Sequence, residues 1–208
     1  MVQKSEAKRR GRPPAYDAEQ ALSRALDTFW AAGFEGTSLD DLSAATGMNR
    51  PSLYGAFGDK RALFLKVLAR YRGRGEGALA ALVAEGRPVG DTLVNAYAGA
   101  LRLYYSGDAG ARGCFLTGAA LVGAVEDGDV REAVLDGIEE LDRAFVTLFE
   151  RGKGSGEVAR NADCEALALM ASALLHTLSI RARAGAPRAE LVRAAAQGVD
   201  TLLRAARP

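Results

Sequence analysis

Cys114 follows Arg112-Gly113 and opens the apolar run Phe115-Leu116-Thr117-Gly118-Ala119-Ala120-Leu121. A thiol at a helix start with a guanidinium nearby is favoured as thiolate, the form that attacks electrophiles and oxidants. A small buried residue starting a helix would look the same. Cys164 lies between Asp163 and Glu165, whose charges oppose ionisation. His176, the only histidine, stands in an apolar stretch, where a satisfied interior imidazole is commoner than a ligand or a base. Tyr97, Tyr104 and Tyr105, with Arg102, offer polar contacts to a small molecule or cover the outside of their helix. Enzyme chemistry has little to work with. There are no paired histidines and no nucleophile beside an evident base, and Gly152-Lys153-Gly154-Ser155-Gly156 lacks phosphate-loop spacing and reads as a surface turn. The two cysteines have no metal-ligand spacing, so neither a metal nor a cofactor is expected, and a reducing cytoplasm fits them.

The elements that must hold these residues are helical. Alanine, leucine, arginine and glutamate dominate the 208 residues, and 49% of them are hydrophobic, enough for an ordinary core. The formal net charge is only +1, but residues 1–75 carry 13 Lys+Arg against 8 Asp+Glu, while the rest carry 14 against 18. A basic front on an acidic back suits a nucleic-acid-binding head on a body that touches no phosphate. The N-terminus is charged, and no apolar run approaches the roughly 20 residues that span a bilayer, so neither export nor a membrane partner is expected.

Residues 1–16 read as a flexible basic arm: Lys4, Lys8, Arg9, Arg10 and Arg12 precede Pro13-Pro14 with no apolar periodicity. From Asp17, Ala21, Leu22, Ala25, Leu26, Phe29 and Trp30 recur at helical spacing until Gly33. Ser38 with Asp41 three residues later forms a capping pattern for a second helix that Gly47 ends. Asn49 caps a short third helix with Pro51 in its first turn, and Asp59 caps a long fourth. Gly73, Gly75 and Gly77 make the soft part of that helix, or a break in it, and mark the joint between a head of residues 17–72 and a body of residues 73–208. Five further helices are expected near 88–106, 113–125, 127–151, 162–184 and 187–206, giving an all-α fold of about nine.

Two short helices joined by a glycine-containing turn, apolar only where they cross, match a helix-turn-helix. Residues Ala31 to Leu65 closely resemble the DNA-binding domain of the TetR/AcrR family of bacterial regulators. The resemblance is carried by Gly33-Phe34, Thr37-Ser38, Leu53-Tyr54, Phe57 and Asp59-Lys60. It implies that Thr37 and Ser38 hold a phosphate at a helix N-terminus, and that Asn49, Arg50, Pro51 and Ser52 open the recognition helix in the major groove. It makes Arg50 the guanine reader, with phosphate as its alternative partner, and sets Tyr54 and Lys60 on the backbone, unless Tyr54 merely packs. Pro51 stands where the family often has glycine, and Gly55-Ala56 where it often has histidine or an aromatic residue, which leaves the operator sequence open. Arg9, Arg10 and Arg12 resemble arms that enter the minor groove, as would any solvated tail or tag.

The same resemblance implies a homodimer and a body that binds a small-molecule effector, whose binding releases the heads from a palindromic double-stranded operator. The last two helices, the first of them apolar around most of its circumference, find burial against their copy in that dimer or inside a monomeric bundle. Cys114, Tyr97, Tyr104 and His176 are the candidate effector-pocket or sensing residues. The Arg112-Gly113-Cys114-Phe115-Leu116 stretch is similar to one in a subgroup with members that respond to electrophiles or oxidants through a cysteine. The alternatives to a ligand-responsive repressor are thus an electrophile-sensing repressor acting through Cys114 and, from another class, a helical interaction module without specific DNA binding.

Overall fold

A computed structural model describes residues 17–107 and 110–207. Among the described residues are nine α-helices and no strand: α1 (Ala18–Ala32), α2 (Leu39–Thr46), α3 (Arg50–Phe57), α4 (Lys60–Ala84), α5 (Val89–Tyr104), α6 (Phe115–Glu126), α7 (Gly128–Ser155), α8 (Cys164–Arg183) and α9 (Arg188–Ala206). The expected all-α architecture, with a helix-turn-helix ahead of a long fourth helix, is what forms.

Local chemistry sets the ends of the head helices. The Asp17 carboxylate accepts from the Glu19 and Gln20 N–H groups, and Ser38 and Asp41 cap each other's backbone reciprocally. Asn49 Oδ1 accepts from Ser52 N at 2.9 Å and Asp59 Oδ1 from Ala62 N at 2.7 Å. Between α2 and α3 the chain reverses at Gly47, whose φ of 71° lies in the left-handed region that a side chain disfavours. Leu42, Met48, Leu53 and Phe57 then close onto Ala21, Ala25, Phe29, Leu63 and Val67 to form the core of the head.

Of the two readings of the glycine run the unbroken helix is the one that forms, and the turn expected at residue 152 is corrected. The glycine run does not break α4, which continues to Ala84 because Leu79 and Val83 beyond it are buried in the body. Packing at both ends thus outweighs the roughly 1 kcal/mol that each glycine costs a helix. Nor is residue 152 the start of a surface turn. α7 runs on to Ser155 and caps at Gly156, and Gly152 is buried so closely that a Cβ there would lie 2.7 Å from both Val89 and Val158 side chains.

The body core joins Leu93, Tyr97, Phe145, Leu148, Phe149, Leu178 and Leu202 of α5, α7, α8 and α9. α6 belongs to both halves. Phe115, Leu116 and Ala119, with Val130 and Val134 of α7, pack into the apolar cluster of the head. At 20 residues and a mean hydropathy of 1.2, α8 is long and apolar enough to cross a bilayer, contrary to the sequence reading. Its Leu167, Ala168, Ala171, Leu178 and Ala182 are buried in the body core, the composition expected of a helix packed on several sides.

Candidate nucleic-acid interface

On α3 the sequence pattern separates two faces. Leu53 and Phe57 are buried, while Asn49, Arg50, Pro51, Ser52 and Tyr54 are exposed, Tyr54 at 47% despite its aromatic ring. The predicted recognition residues therefore share one solvent-facing surface, and Tyr54 does not pack into the core.

Their present partners are specific. Arg50 Nε and Nη2 donate to the Asp40 carboxylate on α2 at 3.0 and 2.7 Å, a bidentate pair open to solvent on both sides. Ser38 stands at the start of α2 and, besides its part in the capping box, donates its hydroxyl to the Asp41 carboxylate at 2.6 Å. Lys60, half-buried at the start of α4, places its ammonium 4.4 Å from the Phe34 ring centre.

Thr37 is a correction. It is only 1% exposed and its hydroxyl donates to the Gly33 carbonyl at 2.6 Å, so it braces the α1–α2 turn and does not present a hydroxyl to solvent. Arg9, Arg10 and Arg12 lie outside the described residues.

Head and body meet at an aromatic and ionic joint that the sequence did not announce. Trp30 sits edge-on to Tyr71 and 5.8 Å from Phe115, and its indole N–H donates to the Arg112 carbonyl at 3.1 Å. The Arg112 guanidinium lies 3.9 Å over the Trp30 ring and pairs with Asp27 at 2.7 Å. Arg61 of α4 reaches Asp127 and Asp129 at the α6–α7 turn, and Arg72 reaches Glu140 and Asp136 of α7. Arg61 holds the Asp127 carboxyl down to about 2. These pairs join residues 64 to 85 positions apart, so only the fold brings them together.

Among the candidate effector residues, Tyr97 and Tyr104 are 1% and 3% exposed, with the Tyr97 hydroxyl donating to the Ala171 carbonyl at 3.0 Å. They sit inside the body core and not on the outside of their helix, and burial raises both phenols above their ordinary range. His176 is half-buried on α8, where burial depresses its imidazolium against the opposing charge of Asp142 on α7. Cys164 is buried, and burial pushes its thiol up, with Glu150 acting in the same direction.

Cys114 caps α6. Its N–H donates to Ser179 Oγ at 2.8 Å and its sulfur lies 3.3 Å from the Tyr71 hydroxyl. The neighbouring Arg112 spends its guanidinium on Asp27 and Trp30 instead of on the thiol. Gly113 is obligatory here. Its φ is 65°, and a Cβ would lie 2.8 Å from the Ser179 carbonyl oxygen. A cavity of about 240 Å³ opens beside Cys114, lined by Thr117, Leu121, Ser179, Ile180 and Arg183. Among the described residues no group of carboxylates, cysteines and histidine is arranged to hold a metal.

A helix-turn-helix with a polar outer face, carried on a helical body, defines the class of one-chain DNA-binding regulators. The particular family follows from comparison with known proteins. Residues 21–67 match the family model "Bacterial regulatory proteins, tetR family", and residues 90–197 match "Tetracyclin repressor-like, C-terminal domain". The chain is 32% identical over 189 residues to the HTH-type transcriptional repressor ComR of Escherichia coli (strain K12), covering 90% of each protein. It is 40% identical over 116 residues to the HTH-type transcriptional repressor BdcR of the same organism, 58% of that protein. A cysteine mutant of the TetR family transcriptional regulator CifR, complexed with 26bp double-strand operator DNA, superposes with a TM-score of 0.81 at 34% identity, over 95% of this chain and all of that one. The chain belongs to the tetR family of bacterial regulatory proteins.

Proposed function

We propose that this protein is a sequence-specific, homodimeric transcriptional repressor of the bacterial cytoplasm, without catalytic activity, that leaves a palindromic operator when a small effector binds its body. The observation that carries this reading is the outer face of α3, where Asn49, Arg50, Pro51, Ser52 and Tyr54 stand together in solvent on a helix anchored by Leu53 and Phe57. Bases are read from the N-terminal part of such a helix, where Arg50 offers a bidentate donor pair to guanine. Tyr54 of α3, with Ser38 and Lys60 on the flanking elements, serves as a backbone contact, and Arg9, Arg10 and Arg12 extend the grip into the minor groove. The heads are brought together by α8 and α9, whose outward apolar residues Leu169, Met170, Ile180 and Val192 are 48–60% exposed in the single chain.

Selection of bound sequences from a random double-stranded DNA pool, at low and at higher salt, tests the reading. Enrichment of a palindrome with half-sites about one helical turn apart is the expected result. Binding that follows salt alone, with no sequence enriched, refutes sequence-specific repression.

A second reading is supported by the setting of Cys114, at the start of α6, beside a cavity and within reach of the Tyr71 hydroxyl. In it, modification of the Cys114 sulfur by an electrophile or oxidant shifts α6 and releases DNA. Release by a quinone that persists unchanged in Cys114→Ser rules this out.

A further inference from the structure

We propose that the cleft between α1 and α6 is a ligand site for a small aromatic carboxylate, and that occupation of this cleft moves the head against the body. This rests on the reading above that the chain answers to a small effector. It places the effector between the halves, away from the core that holds Tyr97 and Tyr104.

The cleft is a cavity of about 200 Å³. Its wall is a continuous set of five rings, Phe29, Trp30, Phe34, Phe64 and Phe115, with neighbouring centres 5.1 to 6.2 Å apart and mostly edge-to-face or tilted. Four of the rings come from the head and Phe115 from α6. A planar aromatic guest continues such an array, gaining both burial and favourable ring geometry. Farther along α6 the cleft is lined by Gly118, Ala119 and Gly123, none of which carries more than a methyl group.

Two charged groups line the space, Arg183 of α8 and Glu35 of the α1–α2 turn. Arg183 gives one Nη1 hydrogen bond to the Arg112 carbonyl at 3.1 Å and, among the described residues, has no carboxylate partner. It also lines the neighbouring cavity beside Cys114, so one guanidinium and Gly118 form the partition between the two spaces. A guanidinium with donors to spare beside an apolar slot calls for a carboxylate on a flat apolar body. Among the described residues that line the cleft, Glu35 is the one carboxylate.

The link to DNA is short. Phe34 walls the cleft and also carries the Lys60 ammonium, and Trp30 walls the cleft while accepting the Arg112 guanidinium on its ring. A guest that displaces these rings shifts the start of α4 and loosens the α1 hold on Arg112. A ligand that fits the displaced arrangement better than the DNA-bound one releases the operator to that extent.

Trp30 is the only tryptophan, so its emission reports on the cleft directly. The full chain, without DNA, is titrated with phenylacetate and with phenylacetamide as the uncharged control. The expected result is a saturable Trp30 response to the acid, about tenfold weaker for the amide and for Arg183→Gln, stronger for Glu35→Gln, and lost in Gly118→Leu. Among the described residues Gly118 has only Arg183 Nη1 within 4 Å of a Cβ position, so the leucine enters the cleft beside that guanidinium. Melting curves confirm that the variants are folded, and the exposed Arg183 and Glu35 changes stand even if Gly118→Leu does not fold. No saturable response to millimolar phenylacetate, or equal responses from acid, amide and both charge variants, overturns the proposal. A saturable Trp30 response from a protein that enriches no DNA sequence removes the repressor reading and keeps the cleft. Enrichment of an operator with no Trp30 response does the reverse.

Discussion

Arg50 is already held in the free protein by the kind of partner it would meet on a guanine edge, a pair of acceptors on Asp40 that take two of its donors. Because both side chains are open to water, the pair is weak and exchangeable, and its effect is to extend the arginine and to lower the positive charge seen by DNA. Asp40→Asn is therefore expected to tighten binding to any duplex by roughly fivefold at low salt, read by anisotropy of labelled DNA, with a smaller gain at high salt as screening grows. An unchanged or weaker affinity contradicts this role for Asp40. Much at this scale was legible: Ser38, Asn49, Asp59 and Gly47 take the capping and turning roles their types and spacing announce. Thr37 was not, because the turn from Gly33 to Thr37 decides whether its hydroxyl meets water or the Gly33 carbonyl, and sequence alone does not fix that choice.

Among the elements, α4 carries the most information. Its three glycines are exposed, with nothing among the described residues within 4 Å of a Cβ position, so the soft segment is held by its packed ends. Replacing Gly73, Gly75 and Gly77 together by alanine should stabilise the protein by up to about 1 kcal/mol each, seen as a raised melting temperature, and should reduce effector-driven release from DNA if bending here transmits the signal. The start of α4 is pinned to the α6–α7 turn by Arg61, which holds Asp127 near 2 against an ordinary 3.8. A carboxyl whose folded value lies below its unfolded one adds stability above about pH 4 and loses it as the pH falls towards 2. Asp127→Asn should accordingly flatten the acid limb of stability between those values, in denaturant titrations at a series of pH values. Helix positions were visible in periodicity and capping, whereas continuity across the glycine run and across residue 152 was not. Those depend on the body core that buries Leu79 and Val83 of α4 and on Val89 and Val158 closing over Gly152.

For the whole molecule, the sharing of one apolar cluster by the head, α6 and α7 means that the division expected near residue 72 runs through a packed unit. Two such units reading a palindrome need a fixed spacing, and the outward stripe Leu169, Met170 and Ile180 on α8 with Val192 on α9 is the surface able to set it. Leu169→Glu is expected to give monomers in sedimentation at concentrations where the parent is dimeric, and to lose most operator affinity while the helical content is kept. A variant that stays dimeric would place the interface elsewhere. The charge pattern of the whole chain was informative in sequence, since the basic excess of the front half is concentrated in residues 1–16. The aromatic and ionic joint between head and body was not, because Asp27, Trp30, Arg61 and Arg72 find partners more than 60 positions away.

The central claim, that the outer face of α3 reads DNA sequence, is tested most directly by comparing the parent protein with Arg50→Ala on a selected operator and on a scrambled duplex of equal length. The account predicts that the variant loses roughly tenfold to hundredfold on the operator and little on the scrambled duplex, so that discrimination collapses while salt-dependent binding survives. Equal losses on both duplexes would make Arg50 a phosphate contact, and no loss on either would contradict the assignment of this face to base recognition.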